Sequence, residues 1–342
     1  MILAVCLNAA IDVTYTVDRI QPGASHRVRE VRHRAGGKAV NVARVLRQLG
    51  EPARLLAFAG STTGQQLAHD LAAAGLDHRL VPTAGDTRRT VTVVDIADAT
   101  VFNEPGPVIT PAEWAVFVEV FRDEMKSADL LVLAGSLPRG LEPGAYGELI
   151  ELAHLEGVPA ILDADGPALD TALPARPFLV KPNHHELAEL VGRSLTSAND
   201  VHLAAAELAD RGPSVVLVSR GEQGLIAVTP DGTWQAGAPE RVRGNPTGAG
   251  DSLVAAVAAG VRAGKDWPAI LADGIATSAA AVAVEVAGEI DPATRARLRP
   301  RVLIESVSTT RAVTDAADEA DEADAAVIVA DDAVTVATEG ES

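Results

Sequence analysis

Apolar positions along the chain fall into two textures. Ile2 to Leu7, Leu130 to Ala134, Ala160 to Asp163 and Val215 to Val218 are short, nearly unbroken apolar runs. That is the pattern of strands buried on both faces. Residues 13 to 34 instead alternate, as in Val13-Thr14-Tyr15-Thr16-Val17, and Arg89 to Asp95 and Thr100 to Asn103 repeat the character. Alternation predicts strands with one wet face. These segments, within about 11–34 and 86–103, predict a small antiparallel sheet standing off the main body as a lid.

Helical spacing fills the gaps between the buried runs. Val42, Leu46 and Leu49 share one face; Thr63 to Ala74 is ended by Gly75; Pro111 to Lys126 puts Trp114, Phe117, Val118 and Phe121 on one side; Glu148 to Glu156 follows. Ala53 to Ala59 and Phe178 to Val180 are further strands. Strand and helix alternate so regularly that the expected class is α/β, a doubly wound, mostly parallel sheet flanked by helices, with the lid attached. The pattern stops near residue 310. Residues 312–326 are rich in Ala, Asp and Glu without an apolar face, so 1–310 is expected as one domain and 311–342 as an acidic, disordered tail. Val327-Ile328-Val329 and Val334-Thr335-Val336 have the character of local strands within it.

Charge and composition narrow the partners. Of the net charge of −18 across 342 residues, ten acidic and no basic residues lie in 312–342, leaving −8 on the rest. An acidic body argues against nucleic acid or an anionic membrane as partner. Aromatic residues are 3%, so Ala, Val and Leu must fill the core. Cys6 is the single cysteine; no internal disulfide can form, as suits a reducing cytoplasm. The N-terminus lacks the basic region of a signal peptide, and no run of 18 residues is uniformly apolar.

Candidate chemistry collects at the ends of predicted strands, where open α/β sheets bind ligands. In Asn245-Pro246-Thr247-Gly248-Ala249-Gly250-Asp251, a Gly-Ala-Gly turn enters a helical run, and unpaired N–H groups at a helix N-terminus suit an anion. Asp251 beside it is suited to removing a proton from an attacking nucleophile. An Asp that merely caps a helix has the same local sequence, and these seven residues do not choose. No Gly-Lys-Ser/Thr follows, so this is not a Walker loop. Asp12 follows the first strand and is either a ligand for a hydroxylated substrate or a turn residue. Gly36-Gly37-Lys38 with Asn41 opens a helix, as a substrate site or as a turn with a solvated lysine. His184-His185 lacks a third ligand at zinc-site spacing.

Four of these motifs stand in a familiar order: Gly-Gly-Lys-x-x-Asn at 36–41, Gly-Ser-Leu-Pro-x-Gly at 135–140, Lys-Pro-Asn-x-x-Glu at 181–186 and Gly-Ala-Gly-Asp at 248–251. Over residues 2 to about 305 the chain resembles the ribokinase-like carbohydrate kinases of the phosphofructokinase-B family. Within it, the phosphohexokinases such as 1-phosphofructokinase, tagatose-6-phosphate kinase and the minor 6-phosphofructokinase are most similar. The resemblance implies Asp251 as the base for a sugar hydroxyl and the N–H groups of Gly248, Ala249 and Gly250 as the anion hole. It implies Asn183 and Glu186 as organisers of Mg²⁺ through water, and Lys181, Ser219, Gly221 and Gly224 on the ATP side.

On the sugar side the resemblance aligns Asp12, Gly37, Lys38 and Asn41, with Arg27, Arg88 and Arg139 as a cluster for a phosphate already on the substrate. The implied reaction is ATP-dependent phosphorylation of a ketohexose monophosphate, foremost fructose 1-phosphate to fructose 1,6-bisphosphate. Tagatose 6-phosphate and fructose 6-phosphate are the alternative substrates, and a non-catalytic sugar-phosphate sensor is the alternative class. A homodimer joined through the lid strands is implied as well. Ala9, Ala39 and Thr90 stand where relatives commonly carry Pro, Gly and Asn, all on the sugar side, and Asn245-Pro246 replaces a common Asp-Thr.

Overall fold

A computed structural model describes residues 1–96 and 99–307; the expected acidic tail lies outside the described residues. In chain order the elements begin with β1 (Ile2–Cys6), β2 (Ala10–Thr16), β3 (Glu30–Gly36), α1 (Lys38–Gln48), β4 (Ala53–Gly60), α2 (Ser61–Ala73), β5 (Asp77–Thr83), β6 (Arg88–Val94) and β7 (Ala99–Asn103). Then come α3 (Pro111–Met125), β8 (Leu130–Ala134), α4 (Ala145–Leu155), β9 (Ala160–Asp163), α5 (Gly166–Ala172), β10 (Leu179–Val180), α6 (His184–Leu190), α7 (Ala198–Ala209) and β11 (Val215–Ser219). The last are β12 (Leu225–Thr229), β13 (Gly232–Gly237), α8 (Ala249–Arg262), α9 (Trp267–Val282), α10 (Pro292–Leu298) and β14 (Leu303–Val307).

The large sheet runs β14-β13-β12-β11-β10-β9-β8-β1-β4-β5. Pairing is parallel from β5 through to β11 and antiparallel from β11 to β14. The unbroken apolar runs become its central strands, because helices cover both faces. Successive side chains of a strand point to opposite faces, and β1 shows the division. Ile2, Ala4 and Cys6 pack with α1, α2, α8 and α9, whereas Leu3 and Val5 pack with α3, α4, α5 and α7. The expected mostly parallel, doubly wound sheet is the one observed.

Several elements carried no clear sequence signal. β5 is a sheet edge with a wet face and Pro82 within it, which an edge tolerates and a central strand does not. β12 and β13 form a hairpin that turns the sheet antiparallel, and α5 is only seven residues long.

The smaller sheet, β3-β2-β6-β7, comprises the alternating segments. It departs from the antiparallel expectation at one seam: β2 and β6 pair in parallel, Asp12 opposite Thr90. Both strands enter the lid shortly after parallel strands of the main sheet, β1 and β5, so they run the same way and need the β4-α2-β5 crossover between them. Asp12 is accordingly not at the end of β1 but three residues into β2, opposite Arg34 of β3.

Aromatic residues are few, so those present concentrate packing. Phe117 is fully buried between Phe58 and Trp114, with ring centroids at 4.5 and 5.6 Å. Phe117→Ala should destabilise the fold by about 3–5 kcal/mol, read by urea unfolding, through lost burial and the cavity left behind.

Candidate active site

The carboxyl ends of the parallel strands lie along one edge, and β1 is where the chain order reverses: it leaves first toward β4 and β5, then returns to β8 on the other flank. Such a switch point opens a crevice. Asn8, just past β1, spans it. Its Nδ2 donates to Ser136 Oγ after β8 (3.2 Å) and to the Pro105 carbonyl after β7 (3.4 Å). Its Oδ1 is buried without a protein partner. Sequence reading did not single out Asn8; a polar residue directly ending an unbroken apolar run was the available signal.

Asp163 was missed as a site residue, although it ends β9 in the same way. It is 1% exposed, and its Oδ1 lies 3.3 Å from both Lys38 Nζ and Lys181 Nζ. Burial pushes the carboxyl pKa up, but the two ammonium groups outweigh it and hold the net value below the ordinary one. Lys38 is affected in the opposite sense: burial lowers its pKa, while Asp163, Glu186 and Asp251 raise it by more. One buried carboxylate thus joins the lysine from the predicted sugar side to the lysine from the predicted nucleotide side.

Both lysines face the start of α8. Gly248, at φ +81°, is the N-cap, and a Cβ there would come within 2.9 Å of the Ala287 side chain. Lys181 Nζ lies 3.7 Å from where a Cβ on Gly250 would stand. The anion-hole expectation needs one correction: the Ala249 N–H donates to the Pro246 carbonyl at 3.1 Å and is already used by the turn. Among the described residues the N–H groups of Gly248, Gly250 and Asp251 have no such acceptor, so two of the three expected donors stay open and Ala249 does not.

Asp251 does not act as a cap. Its side chain is buried and accepts a hydrogen bond from Asn41 Nδ2 of α1 at 2.8 Å. Burial, followed by the Asp163 charge, raises its pKa to about 6; Asn41, Lys38 and Lys181 pull the other way. A carboxyl poised there is charged at neutral pH yet basic enough to accept a proton.

On the predicted sugar side, Asp12 lies over Gly36, where any Cβ would meet its carboxyl at 2.0 Å. Gly37, at φ +111°, lets the backbone pass Cys6 Sγ. Burial raises the Asp12 pKa to about 6 against the pull of Arg88, Arg34 and Arg44. Arg88 donates to the Asn8 and Glu104 carbonyls, both at 3.1 Å, and Arg139 donates to the Gly106 carbonyl at 3.2 Å. These two arginines therefore meet at the segment after β7. Arg27 does not join them. It lies in the exposed segment before β3, whose first residue, Glu30, is already roughly 20 Å along the strand from Gly36 at about 3.3 Å per residue.

On the predicted nucleotide side, Asn183 and Glu186 close the start of α6. Asn183 Oδ1 accepts from the His185 and Glu186 N–H groups, and Glu186 Oε2 accepts from the Asn183 N–H at 2.8 Å. This capping box uses one Glu186 oxygen and leaves the other free of protein donors among the described residues. Asn183 also bridges to Ser219 at the end of β11, so the two motifs are neighbours. Gly221 (φ +57°) and Gly224 (φ +81°) shape the following turn; a Cβ on Gly224 would strike the Ala236 carbonyl at 2.0 Å. Among the described residues no three His, Cys, Asp or Glu side chains are grouped to hold a metal by themselves, and no helix is long and apolar enough to cross a membrane.

Comparison with known proteins identifies the family and the fold. The profile of the pfkB family carbohydrate kinases matches residues 1–294. Phosphofructokinase-2 from Escherichia coli, solved with potassium, superposes with a TM-score of 0.84 at 29% identity, covering 88% of this chain and 98% of that one. The same enzyme with fructose-6-phosphate gives 0.81 at 29% identity, over 88% and 98% of the two chains. A protein described as a possible 1-phosphofructokinase from Thermotoga maritima gives 0.82 at 25% identity, over 90% and 100%.

The charge network makes a prediction independent of activity. In carboxyl-labelled NMR, the Asp251 titration near pH 6 should move to lower pH in Asp163→Asn, which removes a like charge. It should move to higher pH in Asn41→Leu, which removes the hydrogen bond to the ionised form.

Proposed function

The chain belongs to the pfkB family of carbohydrate kinases and is a phosphofructokinase-like sugar kinase, and we propose that it uses ATP to phosphorylate fructose 1-phosphate at the 6-hydroxyl. The observation carrying the chemistry is Asp251, buried, raised in pKa and held by Asn41 beside the open N–H groups of Gly248 and Gly250. In this reading Asp251 takes the hydroxyl proton as the sugar oxygen bonds to the terminal phosphorus of ATP, and the bond to ADP breaks. The open N–H groups, Lys38 and Lys181 face the charge on the transferring group, where fixed donors act without reorganising.

The substrate's own phosphate is assigned to Arg88 and Arg139, whose guanidinium forks suit phosphate oxygens. Asp12 is assigned to a sugar hydroxyl. Lys181, Ser219, Gly221 and Gly224 are assigned to ATP. Mg²⁺ supplies neutralisation of phosphate charge, and the free Glu186 oxygen with the neighbouring Asn183 fits an ion that retains its water. We place the enzyme in the cytoplasm, where buried Cys6 stays reduced. A homodimer through the lid is supported by apolar side chains exposed on it, Val31, Val101 and Phe102; the inhibited form of Escherichia coli phosphofructokinase-2 is tetrameric.

A second substrate, fructose 6-phosphate, is favoured by the complex of the Escherichia coli relative with that sugar. Tagatose 6-phosphate shares the required chemistry. ADP release measured with all three phosphates decides between them: fructose 1-phosphate should have the highest kcat/KM, and a higher value for either of the others overturns the assignment.

Three further outcomes are expected. Asp251→Asn should lower kcat by about 10²–10⁴-fold, the usual scale for a general base. Because Asp12 and Asp251 both titrate near 6 in the free protein, kcat/KM should fall as pH drops below about 6 and both carboxylates gain protons. Arg88→Ala should raise KM for the sugar phosphate tenfold or more while leaving KM for ATP within about twofold.

A further inference from the structure

A cleft of about 360 Å³ opens at the base of the lid, lined by Arg34 of β3 and Arg44 and Arg47 of α1, with Leu76 beneath and Glu289 beside them. None of these residues belongs to the sugar or nucleotide set. Three arginines converging on one cleft in a chain of net charge −18 is a local reversal of the overall field.

Structural duties account for part of this cluster. Arg44 Nη2 donates to Asp70 Oδ2 at 2.5 Å and to the Ala35 carbonyl at 3.4 Å, tying α1 to the lid's base and to α2. Arg34 pairs with Glu289 at 2.9 Å. Two carboxylates therefore offset three guanidinium groups, and most of the fifteen or so N–H donors that three guanidinium forks carry are left over. Arg47 makes no ion pair among the described residues. Arg44 is only 7% exposed, yet its Nε has no hydrogen-bond partner. A buried guanidinium N–H without an acceptor is costly, and an oxyanion entering the cleft is the group that would satisfy it. Burial and the neighbouring Arg34 also depress the Arg44 pKa, a strain that an anion relieves.

We propose that this cleft is a second phosphoryl-binding site, separate from the pocket of Arg88 and Arg139, that takes the phosphate group of a small metabolite. The forks of Arg44 and Arg47 match tetrahedral oxygens two at a time. The site is close in the chain to substrate-side residues: Arg34 stands opposite Asp12 in the β2–β3 ladder, and Asp70, which holds Arg44, also accepts the Ala35 N–H just before Gly36-Gly37.

Calorimetric titration of the full chain with inorganic phosphate, and separately with fructose 1,6-bisphosphate, tests this. Because Arg88→Ala weakens the substrate pocket, that background lowers its share of the binding, and the comparison with and without Arg47 assigns what remains to the cleft. Either probe should still bind to Arg88→Ala, and adding Arg47→Ala should weaken that binding at least tenfold. Arg47 is exposed, so its replacement should leave the ligand-free melting temperature unchanged. Binding by the bisphosphate alone would identify the ligand as an organic phosphate; binding by both, as the phosphoryl group itself. No heat from either probe at millimolar concentration with Arg88→Ala, or equal affinity with and without Arg47, overturns the proposal. Neither result bears on ADP release from sugar phosphate, which tests the kinase assignment separately.

Discussion

The buried carboxylate of Asp163 is the charge on which the site's arrangement depends. Lys38 begins α1 and Lys181 follows β10, on separate strand ends, and without an anion between them two ammonium groups would repel. A lone carboxylate in that position would be heavily penalised by desolvation. Each charge makes the other tolerable, and the sheet supplies the rigidity: β8, β9 and β10 are adjacent and in register, with Asp163 level with Ala134. The lysines are thereby held near the start of α8, where N–H groups of the turn stay open.

A second constraint is the close approach of the lid's base to the main body. β2 and β3 leave and re-enter beside β1, and Asp12 folds over Gly36, where no side chain fits. Asn8 then fastens the loops after β7 and β8 across the crevice. The arginines that meet there, Arg88 and Arg139, both donate to carbonyls of one short segment, residues 104–106. In the proposed reaction this couples acceptor binding to lid geometry, since the donors that grip the substrate's phosphate also hold the lid's return strand.

How much of this was legible depends on how local its cause is. Hydrophobic texture marked the central strands, because burial on both faces leaves no other reading for β1, β8, β9 and β11. It marked the lid strands by their alternation. It did not mark β5, whose wet edge resembles a loop, nor the parallel seam between β2 and β6, which follows from where two distant segments enter the lid. The glycine-rich motifs fall at element ends, but of the three N–H groups expected to be open one, that of Ala249, is taken by a turn that its neighbours do not announce.

The sequence by itself determined the fold class, the family and the set of loops that carry polar chemistry, because periodicity and motif order are properties of the chain. Only the tertiary structure decided which members of that set meet. It brought Asn41 to Asp251 across 210 positions and thereby took Asp251 out of the role of a helix cap. It gave Asn183 and Glu186 a capping duty alongside any part in binding, left Arg27 at the lid's far end, and added Asn8 and Asp163, which no motif had marked. Burial, pairing and the pKa shifts that follow from them depend on distances between elements remote in sequence, and those distances exist only once the sheet and its helices have closed around the core.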